Sequence, residues 1–314
     1  MATGRFAPSP TGDLHLGNLH TALVAWLFAR SAGSGFLVRM EDLDRVQASA
    51  DHAASQLADL AALGLDWDGE VVFQSDRFDR YEDAIAKLTA AGLTYPCFCT
   101  RREIREAAEA PHDGPVPEGA YPGTCRTLGA KDRADREAAG RPPALRLRTD
   151  VDEVAVPDLL LGTIRAAVDD VVLRRNDGVP AYNLAVVVDD AAQGVEQVVR
   201  GDDLASSTPR QRHLADLLDL PLVSYAHVAL VLAADGHRLA KRHGAVTLAD
   251  QQTQGRAPAD VRHLLAVSLD LSAVDDPPAS PAALVAAFDP ARLPRDPWTP
   301  PGSIVGPFDG PDDR

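Results

Sequence analysis

Lysine is nearly absent from this chain. Only Lys87, Lys131 and Lys241 carry ammonium groups, so arginine supplies almost all of the positive charge, and 46 acidic residues against 31 basic ones leave a formal net charge of −15. A domain that grips nucleic acid usually has a basic surplus, so the global balance argues against a general RNA- or DNA-coating protein. A local basic patch stays open, because exposed charges act over only about 8 Å at physiological salt. Cysteine is just as scarce: Cys97, Cys99 and Cys125 are the whole set, which excludes a disulfide-stapled miniprotein. No apolar run approaches the roughly 20 residues of a membrane helix. The opening MATGRFAPSPTGD has neither a basic leader nor an apolar export segment. The expectation is a soluble cytoplasmic protein that avoids membranes and works as a monomer.

What is present is ordinary globular material: 314 residues, 45% hydrophobic and 25% charged, enough for about two structural units. Residues 3–40 read as strand, turn-rich loop, helix and strand. Leu19, Ala22, Leu23, Trp26 and Leu27 form one helical face ended by Gly33 and Gly35, and FLVRM at 36–40 forms a buried strand. Amphipathic helices are expected at 54–63 and 81–91, ended by Gly64 and Gly92. A loop dense in proline and glycine at 111–123 marks an insertion. Strands are then expected at 168–173, 184–188, 195–199 and 227–232, with a helix at 209–218 capped by Thr208 and begun by Pro209. From Pro277 onward the proline density predicts an extended, poorly ordered tail. The fold class expected is α/β: an open, mostly parallel sheet split by an inserted domain.

Four clusters carry chemistry. Pro8-Ser9-Pro10-Thr11-Gly12-Asp13-Leu14-His15-Leu16-Gly17-Asn18 lies between strand and helix, where backbone N–H groups and the helix dipole favour phosphate and His15 can donate to a phosphate oxygen. Arg39-Met40-Glu41-Asp42-Leu43-Asp44-Arg45 follows a strand's carboxyl end, where such sheets bind ligands. Glu41 suits an ammonium group there; a solvated loop with internal ion pairs is the other reading. Arg5 and Arg200 each end a strand and offer planar forks to a carboxylate. Arg238-Leu239-Ala240-Lys241-Arg242-His243-Gly244 is a basic loop suited to a triphosphate. By spacing alone, the three thiols are either a metal site lacking one ligand, with Tyr121, His112 and Glu118 as local candidates, or ordinary free cysteines.

Taken in order, these segments resemble a known family. RFAPSPTGDLHLGN is similar to the HIGH-type opening of class I glutamyl-tRNA synthetases and RMEDLDR to their RIEDTDR segment. AYNLAVVVDD, VVRGDDL, STPRQ, YAHVALVL and RLAKRHGA follow in the family's order over residues 4 to about 250. Little chain remains after the RLAKR loop for an anticodon-reading domain, so the resemblance is closest to the short members of the family, the glutamyl-Q tRNA(Asp) synthetases.

The resemblance implies a Rossmann-type sheet with an inserted zinc-bearing connective domain and a C-terminal helical segment. Its divisions would be 1–88 and 184–235 for the two Rossmann halves, 89–183 for the insertion, and 236–314 for the KMSKS-type loop and the C-terminal region. It implies activation of L-glutamate by ATP with Mg2+, without tRNA, and transfer to the queuosine base of tRNA(Asp). By the same resemblance, His15 and Lys241 are catalytic; Pro8, Gly12, His15, Gly17, Asn18 and Lys241 bind ATP. Arg5, Phe6, Ala7, Pro8, Ser9, Glu41, Tyr182 and Arg200 hold glutamate, and Cys97, Cys99, Tyr121 and Cys125 hold a structural Zn2+. Arg238 and Ala240 depart from the family's loop, and Asn18 replaces a second histidine. Alternatives are a truncated or discriminating glutamyl-tRNA synthetase, a ligase passing glutamate to a small amine, and a non-catalytic tRNA- or nucleotide-binding relative.

Overall fold

The computed structural model describes residues 2–100, 102–104, 121–140, 142–239, 243–244 and 246–305. In chain order the elements are β1 (Gly4–Phe6), α1 (Leu16–Ser31), β2 (Phe36–Met40), α2 (Ala50–Ala62), β3 (Val72–Phe73), α3 (Phe78–Ala90) and β4 (Thr94–Cys97). Next come α4 (Ala130–Ala138), β5 (Ala144–Leu147), β6 (Glu153–Asp158), β7 (Gly162–Ala167), β8 (Val172–Arg174), α5 (Tyr182–Ala192), β9 (Gln197–Gly201) and α6 (Thr208–Leu218). The chain continues through β10 (Ser224–Val228), α7 (Leu248–Thr253), α8 (Pro258–Ser268), α9 (Pro281–Ala287) and α10 (Gly302–Val305). They fall into two compact units: Met1–Gln74 with Val195–Leu204 and Val223–Arg314, and Ser75–Gly194 with Ala205–Leu222.

The first unit holds parallel strands in the order β3-β2-β1-β9-β10. β1 has β2 on one side and β9 on the other, so the connections leave it in opposite directions. This is the switch point at which open parallel sheets leave a crevice beyond the strands' carboxyl ends. β1 and β2 are buried almost throughout, as apolar runs in a parallel sheet should be. The buried residues of α1, among them Leu16, Leu19, Leu23 and Leu27, pack that helix against β1 and β9.

The second unit contains the antiparallel sheet β4-β5-β8, the hairpin β6–β7, and α3, α5 and α6 packed on one another. Residues 184–188, expected as a strand, lie inside α5. Their unbroken apolar run cannot distinguish a buried strand from a buried helix. The helix is selected by Asp189, fully buried two turns on, whose carboxylate accepts from Arg77 Nε at 2.6 Å and from the Tyr81 hydroxyl at 2.7 Å. Two other strands are shorter than expected and displaced: β8 runs 172–174 where 168–173 was expected, and β10 runs 224–228 where 227–232 was expected. The cap of α6 is Ser207, with Thr208 already helical.

Between Pro277 and residue 305 the tail is not an extended coil. Pro281 occupies the first turn of α9, where a missing N–H costs nothing, and Ser280 accepts from the Ala283 N–H as its cap. Leu284, Phe288 and Leu293 are buried, and the Phe288 ring meets that of Phe28 on α1 edge-on at 5.2 Å. Among the described residues no helix is long and apolar enough to cross a membrane.

Candidate active site and metal centre

The loop after β1 is held from beneath. Gln56, fully buried on α2, donates Nε2 to the carbonyls of Ser9 at 3.0 Å and Gly12 at 2.7 Å, and Ser49 N–H donates to Pro10 O at 3.0 Å. A buried glutamine on the inward face of a helix is the only trace of this role in the sequence, and motif reading passes over it. The loop after β2 joins the first one through the Glu41 N–H, which donates to Pro8 O at 2.9 Å.

His15 caps α1. Its Nδ1 accepts from the Asn18 N–H at 3.2 Å while its own N–H donates to Asn18 Oδ1 at 3.1 Å, a reciprocal capping box. Asn18 is therefore a partner of His15. With Nδ1 accepting, the proton of the neutral ring sits on Nε2, a donor beside the partial positive charge of the helix N-terminus. Burial, helped by the nearby Arg238 cation, lowers the His15 pKa to about 4. The His15 ring resonances are accordingly expected to titrate near that value, and movement near pH 6.5 would contradict the geometry. The same shift sets a sign for stability. Between the two values the unfolded chain binds the proton and the folded one does not, so stability falls as pH drops, by up to about 1.4 kcal/mol per pH unit.

Gly17 is required by this arrangement. A Cβ there would lie 3.0 Å from both Cε1 and Nδ1 of His15 and 3.4 Å from Cβ of Val231. The Gly17→Ala enzyme is expected to lose about tenfold or more in kcat with its fold retained if the His15 ring, which the added methyl displaces, donates to substrate. Steady-state kinetics beside a thermal melt checks this.

Arg5 and Arg200 are both buried at the sheet's crossover, 4% and 5% exposed. Arg5 Nη1 donates to Val199 O at 3.3 Å. Arg200 donates Nε to His227 Nε2 at 3.1 Å, directly across the β9–β10 register, and its guanidinium lies 5.5 Å from the centre of the Tyr225 ring, itself stacked on His227. His227 thus orients a guanidinium, a role the sequence did not disclose. Glu41 pairs with fully buried Arg39 at 3.2 Å, the internal ion pair that the charge pattern of this loop also allowed. Phe6 and Pro8 are buried, Ala7 half-buried and Ser9 exposed on the same loop. Tyr182 opens α5 in the second unit.

The basic loop is anchored by Arg238, whose Nη1 meets Asp203 Oδ2 at 2.7 Å. Asp203 in turn needs Gly201, where a Cβ would come within 2.6 Å of its Oδ1. The arginine that departs from the family's loop therefore has a partner in VVRGDDL. Beyond the loop, Leu16 N–H donates to Val246 O at 2.8 Å. Lys241, with Ala240 and Arg242, lies outside the described residues, as do His112 and Glu118.

The thiols converge in the second unit: the sulfurs of Cys97, Cys99 and Cys125 all lie within 4.8 Å of one another. The Tyr121 hydroxyl sits 3.3 Å from Cys97 Sγ and 3.6 Å from Cys99 Sγ and accepts from the Cys125 N–H at 2.8 Å. Burial pushes the Cys99 thiol up to about 12 and the Tyr121 phenol up as well. Burial also opposes ionisation of Cys125, yet hydrogen bonds from Phe98 N–H and its neighbours hold that thiol below its usual value. Three soft sulfurs and an oxygen converging without a disulfide are the donor set of a tetrahedral thiolate site, and the cluster could hold a metal such as zinc.

The profile of tRNA synthetases class I (E and Q), catalytic domain, matches residues 1–268. The chain belongs to this family. A glutamyl-Q tRNA(Asp) synthetase of Nocardia farcinica is 65% identical over 295 residues, 94% of this chain and 92% of that protein. Another, from Symbiobacterium thermophilum, is 48% identical over 323 residues, 99% of each. The crystal structure of a glutamate tRNA ligase from Elizabethkingia meningosepticum in complex with its amino acid superposes with a TM-score of 0.79 at 23% identity, covering 97% of this chain and 68% of that one. The last likeness is one of fold. As a class I synthetase this chain is a ligase, and its Rossmann-like sheet is the family's catalytic scaffold.

Proposed function

We propose that this synthetase activates L-glutamate with ATP in the absence of tRNA and then esterifies it to the queuosine base at the wobble position of tRNA(Asp). The observation that carries the reading is the pair of buried arginines on β1 and β9 at the crossover, with Glu41 on the loop after β2. An acidic amino acid has two carboxylates and one ammonium, and these groups match it by charge. Arg5 and Arg200 take carboxylate oxygens and Glu41 the ammonium, with Phe6, Ala7, Pro8 and Ser9 shaping the pocket; a carboxylate contact from Tyr182 rests on the family resemblance alone. The reading is supported by the names of the relatives that are similar over nearly the whole chain.

In the first step an oxygen of the glutamate α-carboxylate bonds to the α-phosphorus of ATP, and the bond to pyrophosphate breaks. In the second a hydroxyl of the acceptor attacks the acyl carbon, AMP leaves, and the hydroxyl proton departs. Little proton chemistry falls to the protein in the first step, so positioning and charge stabilisation dominate. His15 Nε2–H donates to phosphate oxygens, Lys241 binds the triphosphate, and Pro8, Gly12, Gly17 and Asn18 shape the nucleotide side. Mg2+ bound with ATP would supply charge neutralisation at the phosphates. Cys97, Cys99, Cys125 and the Tyr121 oxygen would hold a structural Zn2+, supplying folding stability to the insertion.

The test is where label lands. With ATP, labelled glutamate and bulk tRNA with or without queuosine, label is expected on queuosine-bearing tRNA(Asp) alone. Label on tRNA(Glu), on a small molecule, or nowhere would replace this reading with a different one.

A further inference from the structure

The segment that carries the basic loop is a small hairpin with three neighbours. Ala233 N–H donates to His237 O at 2.8 Å and Leu239 N–H to Val231 O at 3.2 Å, so residues 231–233 run antiparallel to 237–239. The loop containing Lys241 leaves from Leu239. On one side Val231, almost fully buried, faces Gly17 at the start of α1, as the 3.4 Å approach of a Gly17 Cβ shows.

The hairpin's other edge is closed by the C-terminal segment. Trp298 bridges Val231 in parallel: its N–H donates to Leu230 O at 3.1 Å and its carbonyl accepts from Leu232 N–H at 2.8 Å. Its ring stacks on His20, buried on α1, at 6.5 Å and 17°. A few residues on, the segment reaches α7 and the residues after it, where Gln251 Nε2 donates to Ile304 O at 3.1 Å and Arg256 Nη2 to Ser303 O at 2.7 Å. One stretch of tail therefore touches the strand entering the loop, the helix leaving it, and the helix whose cap is His15.

We propose that Trp298 is a positioning residue for the ATP step: by completing the edge of the 230–232 strand and stacking on α1, it holds the 231–239 hairpin, and with it Arg238, in register with Gly17 and His15. Nothing in the family's motifs points to it, since it lies beyond residue 268, where the family profile ends. The inference rests on the reading of the loop as the triphosphate contact. Its physical basis is that an unpaired strand edge frays, and the hairpin through Leu239 then opens more often.

The experiment uses the full-length enzyme and the Trp298→Ala and Trp298→Phe variants. Trypsin cleavage after Arg238 and the neighbouring basic residues is timed without substrate. KM values for ATP and glutamate are taken from glutamate-dependent ATP–pyrophosphate exchange. Trp298→Ala is expected to speed loop cleavage about fivefold or more, since cleavage follows the opened population. It is also expected to raise KM for ATP about tenfold, with KM for glutamate and kcat within about twofold, and Trp298→Phe is expected to recover most of both. Wild-type cleavage rates, or a parallel loss in both KM values and kcat that phenylalanine does not rescue, would overturn it. If the alanine variant does not fold, Trp298→Leu takes its place under the same criteria. Absence of exchange in the wild-type enzyme would defeat the proposed function, while the substrate-free cleavage arm would still decide whether Trp298 holds the loop.

Discussion

Arg5→Ala is expected to lower glutamate-dependent ATP–pyrophosphate exchange by more than a hundredfold while leaving the protein folded. Arg5 stands on β1, the central strand, and is 4% exposed, so a carboxylate that reaches it leaves water behind. Without the guanidinium that carboxylate is desolvated and unpaired, at a cost of about 3 kcal/mol or more. The same arithmetic predicts selectivity: glutamine offers no charge to the arginine, so exchange with glutamine is expected to stay at background. Arg5→Lys keeps the charge but loses the planar fork and is expected to fall between alanine and wild type. Circular dichroism beside the kinetics separates pocket loss from unfolding, and near-normal exchange in Arg5→Ala would remove this residue from the pocket.

Zinc analysis is expected to find one equivalent in the wild-type protein and none in the double variant Cys97→Ser, Cys99→Ser, which is also expected to lose the cooperative melting of the region around the thiols. Cys97 and Cys125 are buried, and Tyr95, Phe98 and Tyr121 pack with them into one small cluster. A cluster of that size has little apolar surface to order it without help, so metal binding becomes folding free energy, apparent values being about 10–16 kcal/mol for small zinc modules. Tyr121→Phe tests the fourth ligand separately. The ring should remain under the Arg146 guanidinium, which lies 3.6 Å from its centre, while the oxygen is lost. That variant is expected to bind zinc more weakly yet keep its thiolates engaged. Metal analysis of purified protein decides both, and a double serine variant that still holds one zinc would rule the site out.

How far the fold could be read depended on whether local chemistry and long-range packing agreed. Residues 36–40 form a strand with the expected bounds, and α1 carries the expected buried face, because apolar period and bounding glycines point the same way there. Gly33, Gly64 and Gly92 sit at positive φ after their helices, conformations that glycine takes without a Cβ clash. α5 was misread because its identity depends on where Asp189 finds Arg77 and Tyr81, more than a hundred residues earlier in sequence. The tail was misread because proline density was taken as disorder, although prolines at helix starts order a chain. In the candidate site, residues belonging to motifs were legible. Gln56 lies outside every motif, and His227 and Asp203 stand in motif segments without a role of their own there, because each acts by holding another residue, and that relation exists only once the strands are adjacent.

The most direct measurement of the central claim is ATP–pyrophosphate exchange in the absence of any tRNA, with glutamate, glutamine and aspartate compared. The account predicts labelled pyrophosphate entering ATP with glutamate and only background exchange with the other two. No exchange with glutamate, or equal exchange with glutamine, would contradict it.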